Sequence, residues 1–212
     1  MRIAPSTVER AWGTEVWYPA GDLLIKYITT NERLSVQVHP GDEYARQYEN
    51  SRGKTEMWYI VRAAPESRIA LGFLSNQTKD DVRKAAVSGE IVDLLHWWPA
   101  RAGDVFFVPA GTVHAIGGGI ELWEIQQYSD VTYRLYDYGR GRPLHLDKAL
   151  DVAHLGPHPG PGRLPAGCNY FAVDLIDHAA PGLLIALDKG EVWDAADGED
   201  GPSSGRLLRV SS

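Results

Sequence analysis

Gly103-Asp104-Val105-Phe106-Phe107-Val108-Pro109-Ala110-Gly111-Thr112-Val113-His114 reads as a turn, an apolar strand and a second turn, with a histidine opening whatever follows. Two earlier stretches carry reactive side chains two residues apart. In Leu34-Ser35-Val36-Gln37-Val38-His39, alternation puts Leu34, Val36 and Val38 on one face of a strand and Ser35, Gln37 and His39 on the other. In Lys54-Thr55-Glu56-Met57-Trp58-Tyr59-Ile60-Val61 the same count groups Lys54, Glu56, Trp58 and Ile60. A carboxylate and an ammonium thus become neighbours beside an aromatic wall. His114 meets these pairs only if the sheet closes around them, so the pattern predicts a mainly β barrel or sandwich.

Two imidazoles (His39, His114), a carboxylate (Glu56) and a side-chain amide oxygen (Gln37) suit a divalent ion such as Zn2+, one per chain. Cys168 is the only cysteine, which excludes a four-cysteine knuckle and an intrachain disulfide. A thiolate-free set points to a catalytic rather than a structural site, and imidazole and oxygen donors also admit iron, manganese, cobalt or nickel.

A further group follows the same alternation. In Ile120-Glu121-Leu122-Trp123-Glu124-Ile125-Gln126, Glu124 shares a face with Leu122 and Gln126, and in Val131-Thr132-Tyr133-Arg134-Leu135-Tyr136, Arg134 lies with Thr132 and Tyr136. The plain alternative for Glu124 and Arg134 is a cross-strand ion pair on a solvated sheet. Gly139-Arg140-Gly141-Arg142 reads as a loop. Of the seven tryptophans, only Trp58 shares the reactive face; the others are expected to fill core.

With 212 residues, 44% of them hydrophobic, the chain is long enough for one well-filled domain with an appendage. A formal charge of -7 disfavours nucleic acid and anionic membranes as partners. No apolar run approaches the length of a membrane span, and the start lacks a continuous signal-peptide core, so a cytoplasmic location is expected. Leu23 to Thr29 and Leu34 to His39 look like a hairpin around Thr30-Asn31-Glu32. Helices are expected over Asp42 to Glu49, over Lys79 to Val87 with Thr78 as cap and Ser88-Gly89 as stop, and over Leu146 to Val152. The organisation expected is a β domain over 1–155, a Pro/Gly-rich linker over 156–167 and a short β extension over 168–212 whose strands continue the first barrel's sheets.

The stretch from Gly103 to His114 matches a signature of the cupin superfamily, Gly-x5-Pro-x-Gly-x2-His, although Gly117-Gly118-Gly119 replaces its closing asparagine. Leu34 to Pro40, Gly53 to Met57, and Glu124-Ile125-Gln126-Gln127-Tyr128-Ser129-Asp130 leading to Arg134 resemble the type I mannose-6-phosphate isomerases, from about Trp12 to about Val152. The resemblance implies a cupin jelly roll with a few short helices. It also implies metal ligands at Gln37, His39, Glu56 and His114, catalytic roles for Lys54, Glu124 and Arg134, and substrate or phosphate contacts at Ser35 and Arg140. Relatives commonly carry a second jelly roll, of which Cys168-Asn169-Tyr170-Phe171 and Leu183 to Trp193 look like a shortened remnant.

The chemistry so implied is interconversion of mannose 6-phosphate and fructose 6-phosphate through an enediolate, with Lys54 and Glu124 both candidates for the proton-transfer base. The expected partner is a small sugar phosphate, and the assembly a monomer or homodimer. Two alternatives are a sugar-phosphate-binding cupin without turnover and a different metal-dependent cupin enzyme such as an oxygenase.

Overall fold

The computed structural model describes residues 1–195, 201–202 and 205–211. Alternating apolar strands separated by turns form three antiparallel sheets. The first has the order β1 (Ser6–Arg10), β2 (Gly13–Ala20), β3 (Leu23–Thr30), β10 (Ile120–Gln127), β5 (Glu56–Ala63) and β8 (Val105–Val108). The second has the order β11 (Tyr133–Tyr136), β4 (Val36–Val38), β9 (His114–Ile116), β6 (Arg68–Phe73) and β7 (Leu95–Pro99). These two sheets face each other as the cupin jelly roll that the sequence predicts.

Between them lies an apolar plug of Trp12, Ile28, Trp58, Ile60, Ile69, Leu71, Phe106, Ile116 and Leu122. Along β5 the inward residues run Glu56, Trp58, Ile60, and along β10 they run Gln126, Glu124, Leu122, from the polar end of the barrel to this plug. Opposite residues match in kind: Glu124 faces Lys26 of β3 and Trp58 of β5, whereas Leu122 faces Ile28 and Ile60.

Helices cover the outer face of the second sheet. α2 (Lys79–Ser88) and α4 (Leu146–Val152) bury Val82, Ala85, Ala149 and Leu150 against Val36, Val38, Phe73 and Leu135. Each of the larger of these, valine, leucine or phenylalanine, stabilises the fold by about 1.5–3 kcal/mol when fully buried. Thr78 caps α2 by accepting a hydrogen bond from the Asp81 N–H at 3.1 Å, and Gly89 ends it at φ 90°, as the sequence predicts. α1 (Asp42–Glu49) is also where expected, while the four-residue α3 (Ile91–Leu94) carries no readable sequence signal. No described helix is long and apolar enough to cross a membrane.

Two expectations about strand partners are overturned. β3 and β4 do not form a hairpin, because they lie in different sheets and the segment between them turns the corner of the barrel. There the Asn31 and Glu32 N–H groups donate to the Trp12 carbonyl. Alternation fixes the faces of a strand but not its neighbour, and closing the barrel requires the chain to change sheets. Nor do the C-terminal strands extend the barrel's sheets. β12 (Ala166–Gly167), β13 (Ala172–Ile176), β16 (Leu207–Ser211), β14 (Gly182–Ala186) and β15 (Glu191–Ala195) pair in that order as a third sheet. It covers the outer face of the first, packing Phe171, Val173, Ile185, Leu208 and Val210 against Ile25, Met57, Tyr59, Trp123 and Ile125. Those outward residues would otherwise expose a large apolar surface.

Candidate active site

The polar end of the barrel gathers His39, Glu56 and His114, all about 1% exposed. β4 delivers His39 just past its end, β5 begins with Glu56, and β9 begins with His114, so three separate strand ends converge. Each imidazole is turned by a hydrogen bond from its Nδ1–H to a backbone carbonyl, His39 to Val131 at 2.9 Å and His114 to Thr112 at 2.8 Å. That tautomer leaves both Nε2 lone pairs facing Glu56. His39 Nε2 lies 3.6 Å from Glu56 Oε2, and His114 Nε2 lies 3.5 Å from Oε1.

Those separations are too long for good hydrogen bonds. They approach the roughly 3.3 Å between neighbouring donors of a tetrahedral ion with bonds of about 2.0–2.1 Å. His39 Nε2 is moreover fully buried with no hydrogen-bond partner among the described residues, and Glu56 Oε2 beside it is met by the Lys54 ammonium alone, an arrangement that a shared cation would complete. Gln37 adjoins the cluster, opposite His114 in the β4–β9 ladder, with Nε2 at 3.2 Å from His114 Nε2 and Oε1 accepting from Ser35 Oγ at 3.0 Å. Half a turn of its amide brings the oxygen to the side of the imidazoles.

Protonation states also suit a cation. Burial, reinforced by the Lys54 charge, pushes His39 down to about 3, and burial lowers His114 as well, so both rings are neutral near pH 7. Burial alone would raise Glu56, but the Lys54 charge outweighs it and holds the carboxyl well below its usual range. Neutral imidazoles and an ionised carboxylate are the forms a metal binds.

Beside the cluster, Lys54 Nζ lies 3.0 Å from Glu56 Oε2 and 3.8 Å from Glu124 Oε1. Burial would lower the lysine, yet Glu124 and Glu56 outweigh it and raise it, so it remains an ammonium. Glu124 is shifted the other way: burial and then the Glu56 charge raise its carboxyl above the ordinary value. Trp58 Nε1 donates to Glu124 Oε2 at 2.9 Å. Glu124 and Arg134 are not an ion pair on a solvated sheet, since they sit on β10 and β11 of facing sheets and Glu124 is buried.

A cavity of about 90 Å³ opens here, lined by Ser35, Gln37, Lys54, Glu124 and Arg134 among the residues that the sequence singles out. Arg134 faces Gln37 in the β4–β11 ladder, and its Nε is buried without a hydrogen-bond partner among the described residues. Burial and the neighbouring Arg142 charge lower its pKa. Arg140 does not line this cavity. Its guanidinium donates to Glu32 at 3.1 Å and to the Arg33 carbonyl at 2.7 Å. Arg142 does line it, held by Asp137 through Nε at 2.7 Å. The two arginines flank Gly141, and left-handed turns at Tyr138, Gly139 and Gly141 decide which one enters the barrel.

Sequence reasoning missed Lys26 and Arg10, which also line the cavity. Lys26 Nζ is 3.2 Å from Glu124 Oε1 and 4.7 Å from the centre of the Trp17 ring. The signal was a lysine inside the apolar run Leu23-Leu24-Ile25-Lys26-Tyr27-Ile28, where burial demands an anionic partner.

No protein-family model matches the chain. Mannose-6-phosphate isomerase ManA of Bacillus subtilis (strain 168) is 45% identical over 196 residues, covering 80% of this chain and 62% of that protein. Mannose-6-phosphate isomerase of Streptococcus mutans serotype c is 44% identical over 140 residues, covering 63% of this chain and 44% of that protein. In sequence the chain is thus similar to proteins named mannose-6-phosphate isomerase. It spans about half the length of the curated isomerases it matches. The crystal structure of the mannose 6-phosphate isomerase from Bacillus subtilis superposes with a TM-score of 0.80 at 24% identity, over 100% of this chain and 98% of that one, a likeness of fold.

Proposed function

We propose that this chain, like the isomerases named above, interconverts mannose 6-phosphate and fructose 6-phosphate, with Zn2+ as its metal. The observation that carries the reading is the buried His39–Glu56–His114 cluster beside an unpartnered Arg134 edge. A divalent ion held by these three residues and Gln37 would supply Lewis-acid polarisation of the substrate oxygens.

The protein's own groups divide the remaining work. Glu124, a carboxyl whose pKa burial raises, suits removal of the proton from the carbon beside the carbonyl and its return to the adjoining carbon. Lys54, fixed as an ammonium, suits donation to a substrate oxygen rather than base catalysis. Arg134 would stabilise oxyanion charge as the enediolate forms. Ser35 and Arg142, with Arg10, offer donors for the phosphate at the cavity wall, a part that the sequence suggests for Arg140. The third sheet is read as the shortened counterpart of the relatives' second roll, and the organisation as a β domain over 1–155 followed by a linker and this extension.

The test is turnover of mannose 6-phosphate by the purified protein, before and after chelation and again after zinc is restored. Metal-dependent formation of fructose 6-phosphate supports the reading. No turnover in zinc-loaded protein overturns it, and thermal stabilisation by mannose 6-phosphate without product would then favour a binding module.

A further inference from the structure

We propose that Asp42 is a positioning residue for the site, and that Tyr170 makes the C-terminal sheet part of the same device. Asp42 opens α1 but does not act as a helix cap. Its carboxylate instead gathers three distant segments. Oδ1 accepts from the Gly53 N–H at 2.8 Å and from Gln127 Nε2 at 3.0 Å, and Oδ2 accepts from the Tyr170 hydroxyl at 2.8 Å.

Two of these contacts bracket Lys54. Gly53, directly before it, bonds Asp42 itself; Thr55, directly after it, donates its N–H at 2.9 Å to the Gln127 Oε1 of the amide that Asp42 holds. The Lys54 N–H donates to the Pro40 carbonyl at 3.0 Å, two residues before Asp42. Three successive N–H groups are thereby fixed to Asp42 or its near neighbours, and the two side chains that follow, Lys54 and Glu56, enter the site from that frame. The approach is close: a Cβ on Gly53 would lie 2.5 Å from the Asp42 nitrogen. Gln127 also ends β10, the strand carrying Glu124, so one carboxylate sets the spacing between the two elements that bear Lys54 and Glu124. Tyr170 lies in the turn between β12 and β13, which ties the third sheet to this carboxylate. Asp42, Gly53, Gln127 and Tyr170 do not line the cavity, so their effect is on geometry.

The catalytic consequence rests on the isomerase reading; the effect on the metal cluster does not. The variants are Asp42→Ala, Asp42→Asn and Tyr170→Phe, with Tyr44→Phe on the same helix as control. Each is assayed for kcat and KM with mannose 6-phosphate, and for zinc affinity by chelator competition. Losing several hydrogen bonds to a carboxylate predicts a fall in kcat of about tenfold or more for Asp42→Ala at nearly constant KM, and zinc bound several-fold more weakly. Asp42→Asn, which keeps Oδ1, should recover most of both; Tyr170→Phe should lose about two- to fivefold in kcat, and Tyr44→Phe should match the parent. Parental kcat and zinc affinity in Asp42→Ala, or an Asp42→Asn variant as impaired as Asp42→Ala, would overturn the proposal. If the parent itself does not isomerise the sugar phosphate, the isomerase reading fails, and the order of zinc affinities alone supports or overturns the positioning role. If Asp42→Ala does not fold, Asp42→Asn and Tyr170→Phe decide: unchanged kcat and zinc affinity in both overturns it.

Discussion

The two faces of the six-stranded sheet are built from the same strands, and neighbouring residues on them do opposite work. On β10, Glu124 faces into the barrel against Lys26 and Trp58, while Ile125 faces out against the third sheet with Trp123 and Met57. Both faces are buried. The outward one gains stability from apolar area removed from water, whereas the inward one holds charges that only their mutual pairing makes tolerable. Adjacent positions in one strand can therefore carry nearly separable properties, function on one side and stability on the other.

Substitutions can break or sharpen that contrast. The largest effect is expected at the cluster: His114→Ala should abolish both zinc retention and turnover, measured by metal analysis and by the isomerase assay. Normal activity in that variant would remove the site. Next, Glu124→Gln should lower kcat by about 10²–10⁴-fold in the isomerase assay, the usual weight of a general acid–base group.

On the other face, Ile125→Ala should cost about 2–5 kcal/mol in denaturant unfolding while leaving kcat within about twofold. A large loss of kcat in the folded variant would show that the faces are not separable. At the cavity wall, Arg142→Ala should raise KM for mannose 6-phosphate by about 10–100-fold and Arg140→Ala by less than about threefold, because a charge-assisted hydrogen bond contributes about 1.5–3 kcal/mol. The reverse order would return the phosphate to Arg140.

The smallest effect is in pH dependence. Glu15 lines the inward side, and although burial would raise its carboxyl, Lys26 and Arg10 outweigh it and hold it below the ordinary value. A depressed folded pKa contributes stability above the unfolded value of about 4.3 and loses it as pH falls through the folded value. Glu15→Gln should therefore lose less melting temperature than the parent between about pH 6 and pH 3, measured by thermal unfolding. Ile125→Ala should shift the melting temperature almost equally at both.

Much of the site was legible because the pleat is local. A period of two commits Gln37 with His39, and Lys54 with Glu56, to common faces whatever surrounds them. The helices over 42–49, 79–88 and 146–152 were legible for the same reason, since caps and periodicity act within one turn. The partner of Lys26 was not legible, because Glu124 lies almost a hundred residues away and only the ladder makes them opposite. Nor was the choice between Arg140 and Arg142, which turns on left-handed residues in one loop.

By itself, then, the sequence determined which side chains share a face, where three of the helices lie, and that two imidazoles and a carboxylate could meet in a closed sheet. Only the tertiary structure decided that β3 and β4 part into different sheets, that the C-terminal strands form a cover rather than an extension, and that Asp42 joins three segments around Lys54. Facing within a strand is set by covalent geometry, but partners distant in sequence are chosen by which closure buries the most apolar surface while leaving the fewest polar groups unpaired.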